Sequence, residues 1–357
     1  MIKRIVIDQI LDSRKNRQIR AILYTNTGKY WGSAPAGAST GKYEAKVKSN
    51  SVAIKEFNKI KDKIKDEKQI DKIISKLPAN ISTPLSIAAW KANVKYSNIF
   101  PYPLGNVIGG GAHGGFTKIQ EFLVCPVKAK TMKEAVEMNK KIHKEIGQAL
   151  HSGKNDEGAW KSKHDEFITL DILSKVANDY GARIGLDIAA TEILKKGKYC
   201  YSFGCIHKNE QIDFVRDLIQ TYKLFYVEDP FEENDFSSFK ELKNKTNCLI
   251  VGDDLTTTNP QRLMKAKSSI NGIIIKVNQI GTVSKALETI TLARKNKITP
   301  IISHRSGETM DSFIADFAVS TKAPLIKCGI YGKEREAKTK RLTELWKKTK
   351  NPRMNRV

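Results

Sequence analysis

The sequence has no long apolar run, and its cysteines are few and scattered. No stretch of about eighteen apolar residues that could span a bilayer is present, and the first ten residues alternate in a strand pattern unlike a signal peptide. The five cysteines are odd in number and lack the paired spacing of a metal site, which favours reduced thiols; Cys200 and Cys205 are interpreted as packing residues. These absences argue against a membrane-spanning helix and a disulfide-built secreted domain, and we expect a cytoplasmic protein.

Acidic residues are also scarce relative to basic ones. The 357 residues include 38 Asp and Glu against 62 Lys and Arg, a net charge of +24, with much of the lysine in 46–76 and 338–356. Such an excess could attract nucleic acid, an acidic membrane surface or a small polyanionic substrate. Because the aromatic-plus-basic motifs of common nucleic-acid modules are absent, a solvated lysine-rich surface is favoured and nucleic-acid binding is the less favoured alternative.

A short apolar segment ends in a polar residue six times between residues 183 and 329. Each segment is typical of a buried strand, and the polar–apolar runs between them, such as 240–245 and 283–295, predict helices. A strand-then-helix repeat at this spacing is what a (β/α) barrel requires. The six segments are 184–187, 224–230, 249–254, 272–276, 299–306 and 325–327.

Carboxylates stand at the ends of the first three of these strands. Barrel enzymes carry their chemistry at the carboxyl ends of their strands, so Asp187, Glu228 and Asp253 should lie near one another. Such a cluster is unfavourable unless a cation neutralises it. Because the ligands are oxygen atoms only, Mg²⁺ is favoured over zinc or copper.

The later strands end in basic and hydroxyl side chains. Lys276 and Lys327, with Arg305 and Ser306 between them in sequence, suit an anionic substrate that carries a carboxylate or phosphate. A metal on one side and a lysine on the other is an arrangement for removing a proton next to a carboxylate.

These segments resemble consecutive signatures of the enolase family, the phosphopyruvate hydratases. In order, they are Val-Glu-Asp-Pro-Phe at 227–231, Val-Gly-Asp-Asp-Leu-Thr at 251–256, Lys-Val-Asn-Gln-Ile-Gly at 276–281 and Ser-His-Arg-Ser-Gly-Glu-Thr at 303–309. Further matches at 37–41, 106–113, 120–122 and 156–158 extend the similarity over most of the chain.

The resemblance implies an α/β fold, a TIM-like (β/α)8 barrel of the enolase type with a smaller N-terminal α+β capping domain. We expect the capping domain at 1–103, the barrel at 104–340 and a basic tail at 341–357. Within the capping domain, local patterns predict strands at 3–10, 19–24 and 30–34, then helices at 43–65, 68–76 and 84–94. Early in the barrel they predict strands at 106–108 and 119–124 and helices at 132–150 and 166–180.

The reaction that the resemblance implies is the Mg²⁺-dependent, reversible dehydration of 2-phospho-D-glycerate to phosphoenolpyruvate, a step of glycolysis and gluconeogenesis. Lys276 would remove the C2 proton, and Glu157, helped by Glu121, would protonate the departing hydroxyl. A carboxylic acid that is partly desolvated near other carboxylates can remain protonated at neutral pH, which is the state expected of Glu157.

The remaining implied residues contact the substrate or the metals. His113 reaches the substrate from a mobile loop, and Ser39 binds a second Mg²⁺ that arrives with the substrate. The implied substrate-binding residues are Gln120, His304, Arg305, Ser306 and Lys327, and the ligands of the first Mg²⁺ are Asp187, Glu228 and Asp253.

Several alternatives stay open at this point. Without the resemblance, the loop at 36–41 is a linker, His113 a surface histidine and Glu157 an exposed glutamate, and His304 is as readily structural. The chain could be a superfamily paralogue for another carboxylate, although Arg305, Ser306 and Ser39 together favour a phosphate, or a non-catalytic scaffold whose basic surface binds nucleic acid. A homodimer is usual in the family, but Ser-Arg-Lys-Asn-Arg at 13–17 departs from the family's Ser-Arg-Gly-Asn-Pro in the dimer contact region.

Overall fold

The first strands form an antiparallel sheet because their side chains alternate between buried and exposed positions. The computed structural model describes residues 1–37 and 41–357. Alternation along the central strand buries Ile19, Ala21 and Leu23 against the helices, and Gly28 in the following turn has φ +149°. The three predicted strands are confirmed, as β1 (Ile2–Leu11), β2 (Arg17–Thr25) and β3 (Lys29–Ser33) in the order β1-β2-β3.

Three helices pack on this sheet, and one predicted helix is shorter than expected. They are α1 (Asn50–Asn58), α2 (Ile70–Ile74) and α3 (Ala79–Lys91), with a 3₁₀ turn at Lys61–Lys63. The prediction of a helix over 43–65 is wrong in its first part, because the backbone there forms hydrogen bonds with other segments of the chain. The Ala45 N–H donates to the Gln279 carbonyl at 2.7 Å, and the Lys46 carbonyl accepts from Ala79 at 2.9 Å. Contacts with the barrel and with α3 therefore replace helical hydrogen bonds in this segment.

A closed barrel of eight strands follows. The strands after β3 are β4 (Ile99–Phe100), β5 (Tyr102–Gly109), β6 (Glu121–Cys125), β7 (Trp160–Lys161), β8 (Arg183–Asp187), β9 (Leu194–Lys195), β10 (Lys198–Tyr201), β11 (Gly204–His207), β12 (Tyr226–Glu228), β13 (Leu249–Gly252), β14 (Gly272–Ile275), β15 (Thr299–Ser303), β16 (Leu325–Lys327) and β17 (Arg353–Met354). The barrel strands lie in the order β16-β15-β14-β13-β12-β8-β6-β5, and β16 pairs with β5 to close the ring. β6 is antiparallel to both of its neighbours, whereas the other barrel pairs are parallel.

Helices surround the barrel, and several begin at a side-chain cap. Thr131, Asp165 and Thr282 each accept a backbone N–H from the first turn of the helix that follows. The helices predicted at 132–150 and 283–295 are confirmed with the same bounds. The helices are α4 (Met132–Leu150), α5 (Glu166–Asp179), α6 (Ala190–Ile193), α7 (Lys208–Tyr222), α8 (Phe236–Lys245), α9 (Pro260–Ala266), α10 (Val277–Ile280), α11 (Val283–Lys295), α12 (Phe313–Ser320) and α13 (Lys333–Lys348), and a 3₁₀ turn lies at Gly111–His113.

The C-terminal segment is ordered against the barrel. The sequence predicts that a tail begins at 341, but α13 continues through this position. Two residues of its later turns, Leu342 and Leu345, are buried. Beyond this helix, β17 pairs with β4, and the Arg353 N–H donates to the Asn98 carbonyl at 2.8 Å. Residues 341–354 therefore belong to the packed structure.

Two cysteines predicted to be reduced are joined in the structure. β10 and β11 form a hairpin in which Cys200 lies directly opposite Cys205, with a Cα–Cα distance of 4.0 Å, and the pair forms a disulfide. The sequence prediction is therefore wrong at this pair, because only the register of the hairpin reveals that the thiols face each other. Cys125, Cys248 and Cys328 are free and buried.

Among the described residues, no helix is both long and apolar enough to cross a bilayer.

The capping domain is fixed to the barrel by buried polar contacts. Asp311 accepts from the Ser33 N–H at 3.0 Å and from the Lys91 ammonium at 2.5 Å. Ser82 of α3 donates to the Gly281 carbonyl at 2.9 Å. These contacts hold β3 and α3 against the barrel segments that contain Gly281 and Asp311.

Candidate active site

The carboxyl ends of the barrel strands bring most of the predicted site residues together. Asp187, Glu228 and Lys327 are the last residues of β8, β12 and β16. One pocket at this end is lined by every predicted site residue except Glu228, which lies fully buried beside it, and Ser39, which lies outside the described residues. The fold therefore brings these predicted residues together at one pocket.

Lys327 lies at the centre of a buried acidic cluster. Its ammonium is 2.7 Å from Asp187, 2.8 Å from Glu228 and 2.9 Å from Glu121. Burial opposes its charge, but these carboxylates outweigh burial and raise the pKa of Lys327 well above its usual value. Lys327 is therefore a fixed positive charge in the pocket.

Lys276 contacts a different carboxylate. It directly follows β14, and its ammonium donates to the Asp253 carboxylate. Burial alone would lower the pKa of the Lys276 amine, but Asp253 outweighs burial and raises it. Asp229 holds the backbone that carries Asp253 in place. Its carboxylate accepts the backbone N–H groups of Asp253 at 3.0 Å and Asp254 at 2.7 Å. To act as a base, Lys276 must first be released by Asp253.

Glu121 and Glu157 are a pair of buried carboxyls, with an oxygen of one within 4.8 Å of an oxygen of the other. Burial, only partly offset by Lys327, raises the pKa of Glu121 to about 8. Burial also acts to raise the pKa of Glu157, but the nearby positive charges of His113 and Arg335 outweigh it and hold that pKa below its usual value. The two carboxyls therefore lie in different electrostatic surroundings, and the protonated state expected of Glu157 stays a prediction.

His113 lies beside the Glu121–Glu157 pair and lines the same pocket. Its Nδ1 is 3.0 Å from Asp156 and its Nε2 is 3.7 Å from Glu157. Burial disfavours the imidazolium, but Glu157 and Asp156 outweigh burial and raise the pKa of His113 to about 9. Although it lies in a loop, His113 is thus tied to the acidic pair and is no ordinary surface histidine.

Arg305, predicted to bind phosphate, is held by a carboxylate of the capping domain. Its two terminal nitrogens each lie 3.1 Å from the Glu44 carboxylate. The adjacent Ser306 lines the pocket, and its carbonyl accepts from Arg335 at 2.6 Å. His304 is buried, its Nδ1 accepts from the Gly329 N–H at 3.4 Å, and burial lowers its pKa well below the usual value. A cation and a hydroxyl thus lie side by side at the pocket.

The comparisons with known proteins agree with this geometry. Residues 97–349 match the family model described as "Enolase, C-terminal TIM barrel domain". The chain is 38% identical to the enolase of Natronomonas pharaonis, over 97% of this chain and 98% of that protein. It is 37% identical to the enolase of Methanosphaera stadtmanae, over 99% of each chain. The chain belongs to the enolase family. It is a lyase, phosphopyruvate hydratase, which dehydrates 2-phosphoglycerate to phosphoenolpyruvate.

The carboxylates of this enolase fit the Mg²⁺ that the family uses. Glu228 is fully buried, and its Oε1 has no hydrogen-bond partner in the part of the chain that the structure describes. Burial and the neighbouring Asp187 raise the pKa of Glu228 well above its usual value, so Lys327 alone does not neutralise the cluster. A buried, unpartnered oxygen in a set of oxygen donors suits a hard divalent cation.

The predicted ligand trio is not the tightest cluster in the structure. Within residues 1–37 and 41–357, the groups with ligand atoms within 4.8 Å of one another are His113, Glu121 and Glu157, and Asp229, Asp253 and Asp254. Lysines explain the difference, because Lys327 bridges Asp187 and Glu228 whereas Lys276 holds Asp253.

Sequence reasoning missed several residues of this enolase site. Glu44 resembles an exposed residue among lysines, and its pairing with Arg305 exists only in the folded chain. Asp254 lines the pocket, and burial together with Asp253 raises its pKa to about 7. Asn106 donates to Glu157 at 3.2 Å. A polar residue in an otherwise buried strand was the available signal for Asn106; Glu44 had none.

Asn155 holds the backbone of the loop that carries Glu157. Its side-chain oxygen accepts the N–H groups of Glu157 at 3.0 Å and Ala159 at 2.9 Å. From the other side, His143 contacts the Gly158 carbonyl at 2.8 Å. The loop position therefore depends on a few polar contacts.

We expect Asn155→Ala to lower kcat by about 10- to 100-fold with little change in KM, because small displacements of a catalytic group are costly. Steady-state kinetics with 2-phosphoglycerate would measure this change. Asn178→Ala, at an exposed position in α5, is the matched control. An unchanged kcat in the Asn155→Ala variant would show that the loop holds Glu157 without this side chain.

Proposed function

We propose that this enolase carries out its dehydration in the pocket at the carboxyl end of the barrel, with Lys276 as the base and the Glu121–Glu157 pair as the proton source. The observation that supports these roles is that a buried lysine, a largely buried lysine and a pair of buried carboxyls line the same pocket. A base and an acid at one pocket are what removal of a proton and a hydroxyl from adjacent carbons requires.

In this proposal the substrate binds through its two anionic groups. Lys327 contacts the carboxylate, since three carboxylates keep its ammonium charged and in place. Arg305 and Ser306 bind the phosphate, for which the forked donors of arginine are suited. The phosphate would have to replace Glu44, which now occupies both terminal nitrogens of Arg305. Gln120 and His304 complete the substrate contacts.

Lys276 then accepts the proton from C2. Its amine has to leave Asp253 first, because that contact is what raises its pKa and keeps it protonated. Lys327 cannot replace it, since its pKa is raised well above the usual value. The two lysines are thus suited to different tasks, one to proton transfer and the other to charge stabilisation.

The hydroxyl leaves with a proton from the carboxyl pair. Glu121 carries the proton and donates it within the pair, so that Glu157 can pass a proton to the hydroxyl as the negative charge at C2 is released. His113, 3.7 Å from Glu157, supplies a nearby positive charge and closes the pocket on this side. Proton transfer of this kind is typically worth about 10²–10⁴ in rate.

Asp187, Glu228 and Asp253 are the proposed ligands of Mg²⁺, and Ser39 is the proposed ligand of a second Mg²⁺ that accompanies the substrate. When bound, the Mg²⁺ at the three carboxylates supplies positive charge beside the substrate carboxylate, which makes the C2 proton more acidic.

Formation of phosphoenolpyruvate from 2-phosphoglycerate, followed by its ultraviolet absorbance, tests this proposal. We expect activity to be lost with a chelator and restored by excess Mg²⁺, because the buried carboxylates need a divalent cation. D-Glycerate, which lacks the phosphate, is the control substrate and should not react. Equal turnover of D-glycerate would contradict the phosphate roles of Arg305 and Ser306, and activity in chelator would contradict the metal site.

A further inference from the structure

The barrel face opposite the active site has a composition that catalysis does not explain. We define the basal rim as the connections at this face, which are 126–131, 180–182, 223–225, 246–248, 267–271, 296–298, 321–324 and 349–357. None of these connections contains aspartate or glutamate. We propose that the basal rim binds duplex RNA through its phosphate backbone.

The rim carries exposed basic side chains around the whole ring. The exposed acids that border the rim include Glu134, whose carboxylate accepts the Lys130 N–H at 2.8 Å, Asp179 at the end of α5, and Glu241, which pairs with Lys245 at 2.8 Å. The positive charges therefore stay largely uncompensated. The exposed basic residues of the rim are Lys128, Lys130, Lys223, Lys267, Lys297, Lys322, Lys350, Arg353 and Arg356.

Backbone conformation indicates that several of these lysines do not serve a structural purpose. Lys223, Lys297 and Lys322 have φ values of 51°, 57° and 54°, in the left-handed region where glycine or asparagine is favoured after a helix. A lysine near a helix end gains some energy from the helix dipole. That effect does not account for Arg353 and Arg356, which lie beyond the last helix.

The connections form one continuous surface. Thr299 donates its N–H to the Asn271 carbonyl at 2.9 Å, and the Asn271 side chain donates to the Cys248 carbonyl at 3.1 Å. On the other side, Asn355 donates to the Lys322 carbonyl at 3.1 Å. A cavity of about 280 Å³ at the centre is lined by residues that include Arg183 and Arg356. The charges are thus presented on a fixed ring.

The chemistry of the rim favours an RNA duplex over other polyanions. Insertion into a membrane surface requires exposed apolar anchors, and single strands are bound by stacking on exposed aromatic rings. The one aromatic residue of the rim connections that is more than slightly exposed, Tyr180, bonds to Glu145, and Phe225 is buried beneath Arg183. The rim connections contain no described helix or hairpin of the kind that enters a DNA major groove. Contact with phosphates across a wide, shallow groove is how A-form RNA is recognised.

The test compares two variants that lose the same charge. In the rim variant, Lys128, Lys223, Lys267, Lys297 and Lys322 are each replaced by glutamine. In the control variant, five exposed lysines of the capping domain are replaced in the same way: Lys55, Lys59, Lys63, Lys68 and Lys72. Fluorescence anisotropy with a labelled RNA hairpin of about 16 base pairs gives the Kd over a range of salt concentrations.

We expect the rim variant to raise Kd at least about tenfold and to lower the salt dependence by roughly one unit of slope for each lost phosphate contact. The control variant should bind like the unmodified protein, and both should form phosphoenolpyruvate at the original rate because the rim is remote from the pocket. Equal loss in both variants would overturn the proposal in favour of net charge alone. Equal or tighter binding of duplex DNA, single-stranded RNA or anionic vesicles would also overturn it, as would absence of micromolar RNA binding at physiological salt.

Discussion

The Lys276→Ala variant is expected to lose at least about 10³-fold of kcat for phosphoenolpyruvate formation, at the upper end of the usual contribution of a general base. Two cationic side chains at the pocket are unsuited to replace the missing amine. Lys327 is held by Asp187, Glu121 and Glu228, which keep its pKa well above the usual value, and Arg305 is an arginine and stays protonated. The loss should therefore fall on the first chemical step.

Exchange of the C2 hydrogen of 2-phosphoglycerate with D₂O separates this step from the loss of hydroxide. We expect Lys276→Ala to abolish exchange as well as product formation. Lys265→Ala, which removes an exposed lysine from the nearby helix α9, is the matched control and should keep both. If Lys276→Ala retained exchange at the original rate, another group would be the base and the assignment of Lys276 would be wrong.

The barrel could be predicted from the sequence because its periodicity is local. The polar residue that ends each buried strand marks the carboxyl face, so Asp187, Glu228 and Lys327 were placed correctly from their positions alone. The capping-domain helix at 43–65 failed because residues 43–49 bond to the barrel and to α3, and a helical pattern cannot reveal competition from partners distant in sequence.

The same limit applies within the site. Pairing of Glu44 with Arg305 and of Cys200 with Cys205 depends on which segments meet in the fold, and neither residue pair has a sequence signature. Protonation is still less visible. A sequence can name Glu157 as an acid through its resemblance to a family, but the pKa of its carboxyl depends on His113 and Arg335, which the fold brings near it.

The carboxyl pair gives the second large expected effect. We expect Glu157→Gln to lower kcat by about 10²–10⁴-fold while C2 exchange continues, because the amide cannot protonate the hydroxyl but leaves Lys276 intact. Glu121→Gln should cost less, since glutamine resembles the neutral carboxyl that a pKa of about 8 gives Glu121 at pH 7 and can still donate a hydrogen bond to Glu157.

Both variants keep the volume of the original side chain, so a difference in kcat between them reports on proton transfer more than on packing. The decisive comparison is the ratio of C2 exchange to product formation in each variant. A high ratio in Glu157→Gln alone assigns the final proton transfer to Glu157, with Glu121 as the group that stores the proton. A higher ratio in Glu121→Gln would reverse the two roles. The acid would then be Glu121, which lies opposite Asp187 in the pairing of β6 with β8.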